Sequence, residues 1–291
     1  MSETQTVCWI NGEFKSKDKA LISVFDHGFL YGDGVFEGIR FYHKKAFRLP
    51  EHIQRLFDSA QAIALSIPMP AGELTEIIQQ VVAASNLEHG YIRLIITRGK
   101  GCLGINPNNC TKPSMVIIAD QLNMIDEHKR EHGVCLITAA TRKLALDAVD
   151  PRIKSLNYLN HIMARMEANH AGADEALLLN NNGHITEGTA DNVFIEKGGK
   201  LITPPTSDGA LAGITRATII ELAIQAGITV CEQSIAPYDV YTADACFLTG
   251  TGAELIPVAS IDGRHLRQCP SDMFKQLSQH FQALIEHEIR T

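Results

Sequence analysis

Five places in the chain hold residue types that could do chemistry. In Leu211-Ala212-Gly213-Ile214-Thr215-Arg216 a glycine stands just ahead of a helical pattern. Glycine there lets backbone N–H groups close on an anion, and the helix dipole favours negative charge, so a phosphate would be at home. Thr215 acting only as an N-cap, with a helix over 216–226 and Gly227 past its end, accounts for the same residues. Thr249-Gly250-Thr251-Gly252-Ala253 is a second glycine-containing loop whose hydroxyls could reach a phosphate, although such loops are also ordinary turns. Arg55 lies off the apolar stripe of its helix, where a solvated arginine is the default. Lys154 precedes a helix and Glu187 sits where two hairpins meet; taken locally, both read as exposed charges. No Walker loop or dinucleotide fingerprint occurs, since the glycines between Gly28 and Gly38 lack the spacing.

The elements that must position these residues mix helices and strands. Runs rich in β-branched and aromatic residues predict strands over 7–10, 34–42, 91–97 and 114–119. Pro50 opens a helix carrying Ile53, Leu56, Phe57 and Ala60 at helical spacing, and 72–84 gives another. The polar stretch 121–133 is expected to link a small N-terminal α/β domain, 1–120, to a larger C-terminal domain, 134–291. There, 134–140 reads as a strand and 157–171 as a helix with Leu159, Ile162, Met163 and Met166 on one face. Asn181-Asn182-Gly183 and Lys197-Gly198-Gly199 signal hairpins, 245–248 and 255–261 read as strands, and Asp262-Gly263 as a turn. Helices interleaved with hairpins predict two α+β lobes and argue against a doubly wound parallel sheet.

Composition removes several function classes. With 45% hydrophobic and 20% charged residues, the 291-residue chain is of ordinary globular make-up. A net charge of -7 without basic blocks argues against nucleic-acid or membrane-surface partners. Residues 1–7 are polar, so no signal peptide is expected, and no apolar run approaches a membrane span. Seven scattered cysteines without a CxxC pair point to reduced thiols in the cytoplasm and to no metal site.

The order of the weak signals carries a resemblance. Val35-Phe36-Glu37-Gly38-Ile39-Arg40, Glu51-His52-Ile53-Gln54-Arg55-Leu56, Tyr91-Ile92-Arg93, Lys154-Ser155-Leu156-Asn157-Tyr158, Glu187-Gly188-Thr189-Ala190-Asp191-Asn192, the Leu211–Arg216 segment and Thr249-Gly250-Thr251-Gly252-Ala253-Glu254 follow one another as in the branched-chain aminotransferase and D-amino-acid transaminase family. The similarity runs from about residue 9 to about residue 264. It implies the two-domain α+β fold of type IV pyridoxal-phosphate enzymes and a homodimer whose active site borrows a loop from the partner. Lys154 would carry pyridoxal 5'-phosphate as a Schiff base and act as the general base. Glu187 would keep the pyridine nitrogen protonated, Tyr158 would bond the phenolate oxygen and Leu211 would pack on the ring. Arg55, the N–H groups of Ile214 and Thr215, and the Thr251 hydroxyl would hold the phosphate.

The same resemblance, closest to the branched-chain subgroup, implies ping-pong transamination of Leu, Val or Ile with 2-oxoglutarate. Tyr31, Phe36 and Tyr91 would wall the side-chain pocket beside Gly38, while Arg40 and Arg93 would serve the second carboxylate of 2-oxoglutarate. The N–H groups of Gly252 and Ala253 would take the α-carboxylate. Thr97-Arg98-Gly99 continues into Lys100-Gly101-Cys102-Leu103-Gly104 without the arginine and histidine typical of D-amino-acid transaminases, which argues against strict D-specificity. Many branched-chain members place the tyrosine five residues after the lysine; here Tyr158 follows at four. The alternatives are a D-amino-acid, mixed-specificity or (R)-amine transaminase and, more remotely, an aminodeoxychorismate lyase-like enzyme, which would be expected to lack the Phe36-Gly38-Arg40 pattern.

Overall fold

The computed structural model describes residues 6–122 and 126–290. The chain divides into two compact units, one of residues 1–122, 153–157 and 287–291, the other of 123–152 and 158–286.

The first unit contains β1 (Val7–Ile10), β2 (Glu13–Lys15), α1 (His27–Tyr31), β3 (Gly34–Tyr42), β4 (Lys45–Ala46), α2 (Leu49–Ala62), α3 (Ala71–Ser85), β5 (His89–Thr97) and β6 (Ser114–Asp120). Its sheet runs β2-β1-β6-β5-β3-β4, antiparallel throughout. Side chains alternate across a strand, and one row of the sheet is apolar and buried: Val35, Ile39 and Phe41 on β3, Ile92, Leu94 and Ile96 on β5, Met115, Ile117 and Ala119 on β6. Leu56 and Ala60 of α2 and Leu74, Ile78 and Val81 of α3 complete that core, each large aliphatic contributing roughly 1.5–3 kcal/mol by leaving water. Glu37 lies in the same row and is fully buried.

The second unit contains α4 (Glu127–His132), β7 (Val134–Arg142), α5 (Leu159–His170), β8 (Glu175–Leu179), β9 (Ile185–Glu187), β10 (Asn192–Lys197), β11 (Lys200–Thr203), α6 (Ile214–Gln225), β12 (Val230–Glu232), α7 (Pro237–Tyr241), β13 (Ala245–Gly250), β14 (Glu254–Ile261), β15 (Arg264–His265) and α8 (Asp272–Arg290). Its strands run β12-β11-β10-β13-β14-β7-β8-β9, with β15 on β14. The pairs β11–β12, β14–β7 and β7–β8 are parallel and the rest antiparallel. Both hairpins form where their turns predict them. Between β10 and β11 the two-residue loop Gly198-Gly199 has φ of 56° and 74°, the left-handed pair that such a turn requires.

Several expectations are corrected. Part of 121–133 is helical: Asp126 caps α4 by accepting the Lys129 N–H at 2.9 Å, while residues 123–125 lie outside the described residues. Thr215 is not the cap of its helix; α6 starts at Ile214 with Gly213 as N-cap, and Thr215 is buried in the first turn. The apolar stripe of α5 faces outward, with Leu159 69%, Ile162 52%, Met163 50% and Met166 56% exposed. Its inner face is Ala164 and Ala168, packed on Ala139, Ala176 and Leu178. Among the described residues no helix is long and apolar enough to cross a membrane.

Candidate active site

In the first unit, Lys154 rides on a segment joined to β3 by a single β-bridge. Val35 and Ser155 form an antiparallel bridge, the Phe36 N–H donates to the Lys154 carbonyl at 2.9 Å, and the Leu156 N–H donates to the Gly34 carbonyl at 3.0 Å. The Lys154 N–H donates to the Ser59 hydroxyl at 3.2 Å. The backbone of Lys154 is therefore fixed, and its Nζ lies 4.5 Å from the centre of the Phe36 ring. The Arg93 guanidinium also lies 4.5 Å from that ring, and 5.6 Å from the Tyr91 ring.

Strand register explains the grouping. Gly38 pairs with Arg93 and Arg40 with Tyr91, so Phe36, Gly38, Arg40, Tyr91 and Arg93 share the face opposite the core. A Cβ on Gly38 would stand 1.9 Å from Tyr91 Oη; the missing side chain is what admits the phenol. Burial raises the Tyr91 hydroxyl pKa even though Arg93 draws it down, which keeps the phenol a neutral donor. Arg40 Nη1 donates to the Leu122 carbonyl at 3.4 Å. Tyr31 lies apart at the end of α1, 38% exposed, and its hydroxyl accepts the Gly104 N–H at 2.8 Å.

Arg55 is not the solvated arginine that its helix suggests. Its Nε and Nη2 donate to the two oxygens of Glu37 at 2.7 and 2.8 Å, and its side chain is 11% exposed. His52 Nδ1 meets the same carboxylate at 2.8 Å. Burial by itself would raise the Glu37 carboxyl, but the Arg55 charge and the hydrogen bonds from His52 and Arg55 hold it at about 2. Burial pushes His52 down, so its neutral ring donates through Nδ1. The guanidinium is thus clamped in the fork geometry that binds oxyanions.

The second unit is organised around Glu187, 4% exposed at the end of β9. Its Oε2 accepts the Leu211 N–H at 2.8 Å and Asn192 Nδ2 at 3.4 Å, and Asn192 Nδ2 also reaches the Leu211 carbonyl at 3.0 Å. Glu187 and the loop leading into α6 are therefore strapped together. The head of α6 has no side-chain cap, which leaves the first-turn N–H groups of Ile214 and Thr215 to other acceptors. Lys143, just past β7, places its Nζ on Glu187 Oε1 and 2.7 Å from His161 Nε2. Tyr158 occupies the N-cap position of α5, with its ring 4.7 Å from that of His161. Thr251, Gly252 and Ala253 form the turn between β13 and β14. The buried Thr249 Oγ1, two residues before Thr251, has no hydrogen-bond partner among the described residues.

Sequence reasoning assigned no role to Glu37, His52, Lys143, His161 or Asn192. Glu37 had a signal: a carboxylate in an otherwise apolar alternating row needs a cation. Lys143 had none, since an Arg-Lys pair after a strand reads as surface.

Residues 34–261, from β3 to β14, match the amino-transferase class IV family. A Methanocaldococcus jannaschii protein, provisionally named a branched-chain-amino-acid aminotransferase, is 47% identical over 256 residues and covers 88% of each chain. The crystal structure of the Escherichia coli branched-chain amino acid aminotransferase superposes with a TM-score of 0.93 at 34% identity, over 97% of this chain and 95% of that one. A second branched-chain amino acid aminotransferase, from T.th., was solved with pyridoxamine 5'-phosphate and gives 0.92 at 33% over 97% and 94%. That enzyme has also been solved with N-(5'-phosphopyridoxyl)-L-glutamate and with 4-methylvaleric acid. The chain belongs to the class IV aminotransferases, pyridoxal 5'-phosphate enzymes of fold type IV.

Proposed function

We propose that this chain transfers amino groups between branched-chain L-amino acids and 2-oxoglutarate in a ping-pong cycle. The observation that carries the reading is Lys154, a lysine whose backbone is hydrogen-bonded to β3 and to Ser59 while its amine stands 4.5 Å from an aromatic face. The bound cofactor supplies an aldehyde that condenses with amines and a ring that takes up the electrons left when a Cα proton departs.

The residues present fit that group. The uncapped start of α6 and the unpaired Thr249 hydroxyl near Thr251 suit a phosphate. Buried Glu187 suits a protonated ring nitrogen. In this reading Arg55, Ile214, Thr215 and Thr251 hold the phosphate, Leu211 covers the ring face and Tyr158 bonds its phenolate oxygen. Glu187 keeps the ring nitrogen protonated. Lys154 carries the cofactor and, once displaced by the substrate amine, takes the Cα proton on Nζ and later returns it.

The N–H groups of Gly252 and Ala253 receive the α-carboxylate. Tyr31, Phe36 and Tyr91, with room left by Gly38, wall the aliphatic side chain, and Arg40 and Arg93 take the second carboxylate of 2-oxoglutarate. Support comes from the second enzyme above, whose ligands include a glutamate adduct and a branched aliphatic acid. We assign the working form as a homodimer in the cytoplasm. The outward apolar row of α5 and the free thiols of the described cysteines support that assignment.

Single-turnover half-reactions with L-Leu, L-Val, L-Glu, D-Ala and an (R)-amine, followed by the colour of the bound cofactor, test the substrate. Rapid bleaching by the branched-chain amino acids and L-Glu is expected; bleaching by D-Ala but not L-Leu would overturn it. Borohydride reduction followed by peptide mapping should place the fixed cofactor on Lys154, and Lys154→Ala should leave a colourless protein.

A further inference from the structure

Lys143 has no part in the assignments above, yet it is 5% exposed and bonded to the carboxylate at their centre. We propose that Lys143, braced by His161, is a positioning residue that keeps Glu187 ionised before the cofactor arrives. The ring nitrogen, which already carries its proton in neutral solution, then meets a carboxylate ready to pair, and Glu187 has no proton to release. The inference rests on the pairing of Glu187 with that nitrogen.

A carboxylate 4% exposed takes up a proton unless donors or a cation hold it charged. Among the described residues three donors reach Glu187: Lys143 Nζ on Oε1, and the Leu211 N–H and Asn192 Nδ2 on Oε2. Lys143 alone among them brings a full charge. Its place is built from several sides. Its backbone N–H donates to the Leu179 carbonyl at 2.8 Å, and its Cγ lies 3.6 Å from where a Cβ of Gly209 would be. Its Nζ stands 2.7 Å from His161 Nε2, an acceptor only in the neutral ring with its proton on Nδ1. The Tyr158 ring meets that imidazole edge-on at 4.7 Å, and Asn160 ties α5 to β7 through the Arg142 carbonyl at 2.8 Å.

The groups facing Glu187 are thus a cation from the end of β7, a neutral imidazole from α5 behind it, and uncharged donors from β10 and the loop before α6. Before cofactor binding, the ammonium and the carboxylate balance. With an uncharged side chain at 143, buried Glu187 would take a proton from solvent beforehand and release it to solvent on pairing with the protonated ring nitrogen.

Calorimetric titration of cofactor-free protein with pyridoxal 5'-phosphate, at neutral pH in buffers of different ionisation enthalpy, counts the protons exchanged. Lys143→Met should take up about one proton fewer per cofactor than the wild type, the linkage expected when Glu187 is already protonated, whereas Lys143→Arg should match the wild type. An unchanged count in Lys143→Met overturns the proposal; if that variant does not fold, Lys143→Gln is read by the same criterion. A merely structural role would move affinity or melting temperature but not the proton count. Borohydride mapping on the same samples separates the two readings. Label on Lys154 with an unchanged count defeats the Lys143 inference alone, and absence of that label defeats the site assignment with it.

Discussion

Replacing Glu37 by glutamine removes the charge that clamps Arg55 while preserving side-chain shape. The folded protein holds this carboxyl at about 2 against an ordinary value of 4.5, which at about 1.36 kcal/mol per pH unit corresponds to about 3 kcal/mol. Because the folded-state pKa is depressed, that stabilisation is complete above the unfolded pKa and is lost as pH falls from about 4.5 toward about 2. Glu37 is fully buried, so solvent does not discount it. At neutral pH Glu37→Gln should cost about 3–5 kcal/mol, the range for removing one partner of a buried ion pair. The assay is denaturant unfolding of cofactor-free wild type and variant across an acid series. The stability gap should narrow by about 2 kcal/mol between neutral pH and pH of about 3, as the wild type loses the advantage that the variant never had. A gap that stays constant through this range would refute the argument, whatever its size at neutral pH.

Three further outcomes are expected. Gly38→Ala places a Cβ 1.9 Å from Tyr91 Oη, so kcat/KM for L-Leu should fall at least about tenfold, with about 1–3 kcal/mol lost in denaturant unfolding from overpacking. Arg93→Met should lower kcat/KM for 2-oxoglutarate by roughly 10- to 100-fold, the worth of a charge-assisted hydrogen bond, while steady-state rates with L-Leu change little at saturating acceptor. Met163→Glu on the outward row of α5 should shift the protein toward monomer in analytical ultracentrifugation.

The antiparallel strands and both hairpins were legible because alternation and turn residues act locally: Asn181-Asn182-Gly183 and Lys197-Gly198-Gly199 each decide a reversal within a few residues. The orientation of α5 was not. Helical spacing marks Leu159, Ile162, Met163 and Met166 as one stripe but does not say which stripe packs, and against a close sheet the small Ala164 and Ala168 win. At the head of α6, Thr215 suits an N-cap by type, yet Gly213 takes the position and leaves the first turn without a side-chain cap. The residues proposed for the site stand out only through their order along the chain, since Lys154 and Glu187 each look like surface charges locally. The ion pairs Glu37 with Arg55 and Glu187 with Lys143 join residues 18 and 44 positions apart. No short-range pattern encodes such pairs.

The segment 153–157, bridged to β3 at Ser155, bears on biosynthesis. The first unit takes those five residues and the last turn of α8 from far down the chain, so it cannot be completed while its own first 122 residues are emerging from the ribosome. Until residue 156 has been made, the Phe36 N–H and the Gly34 carbonyl on β3 lack their native partners, an open edge of the kind that recruits neighbouring chains. A nascent or truncated chain ending near residue 122 should therefore engage chaperones or aggregate, and one extended past residue 157 should do so less.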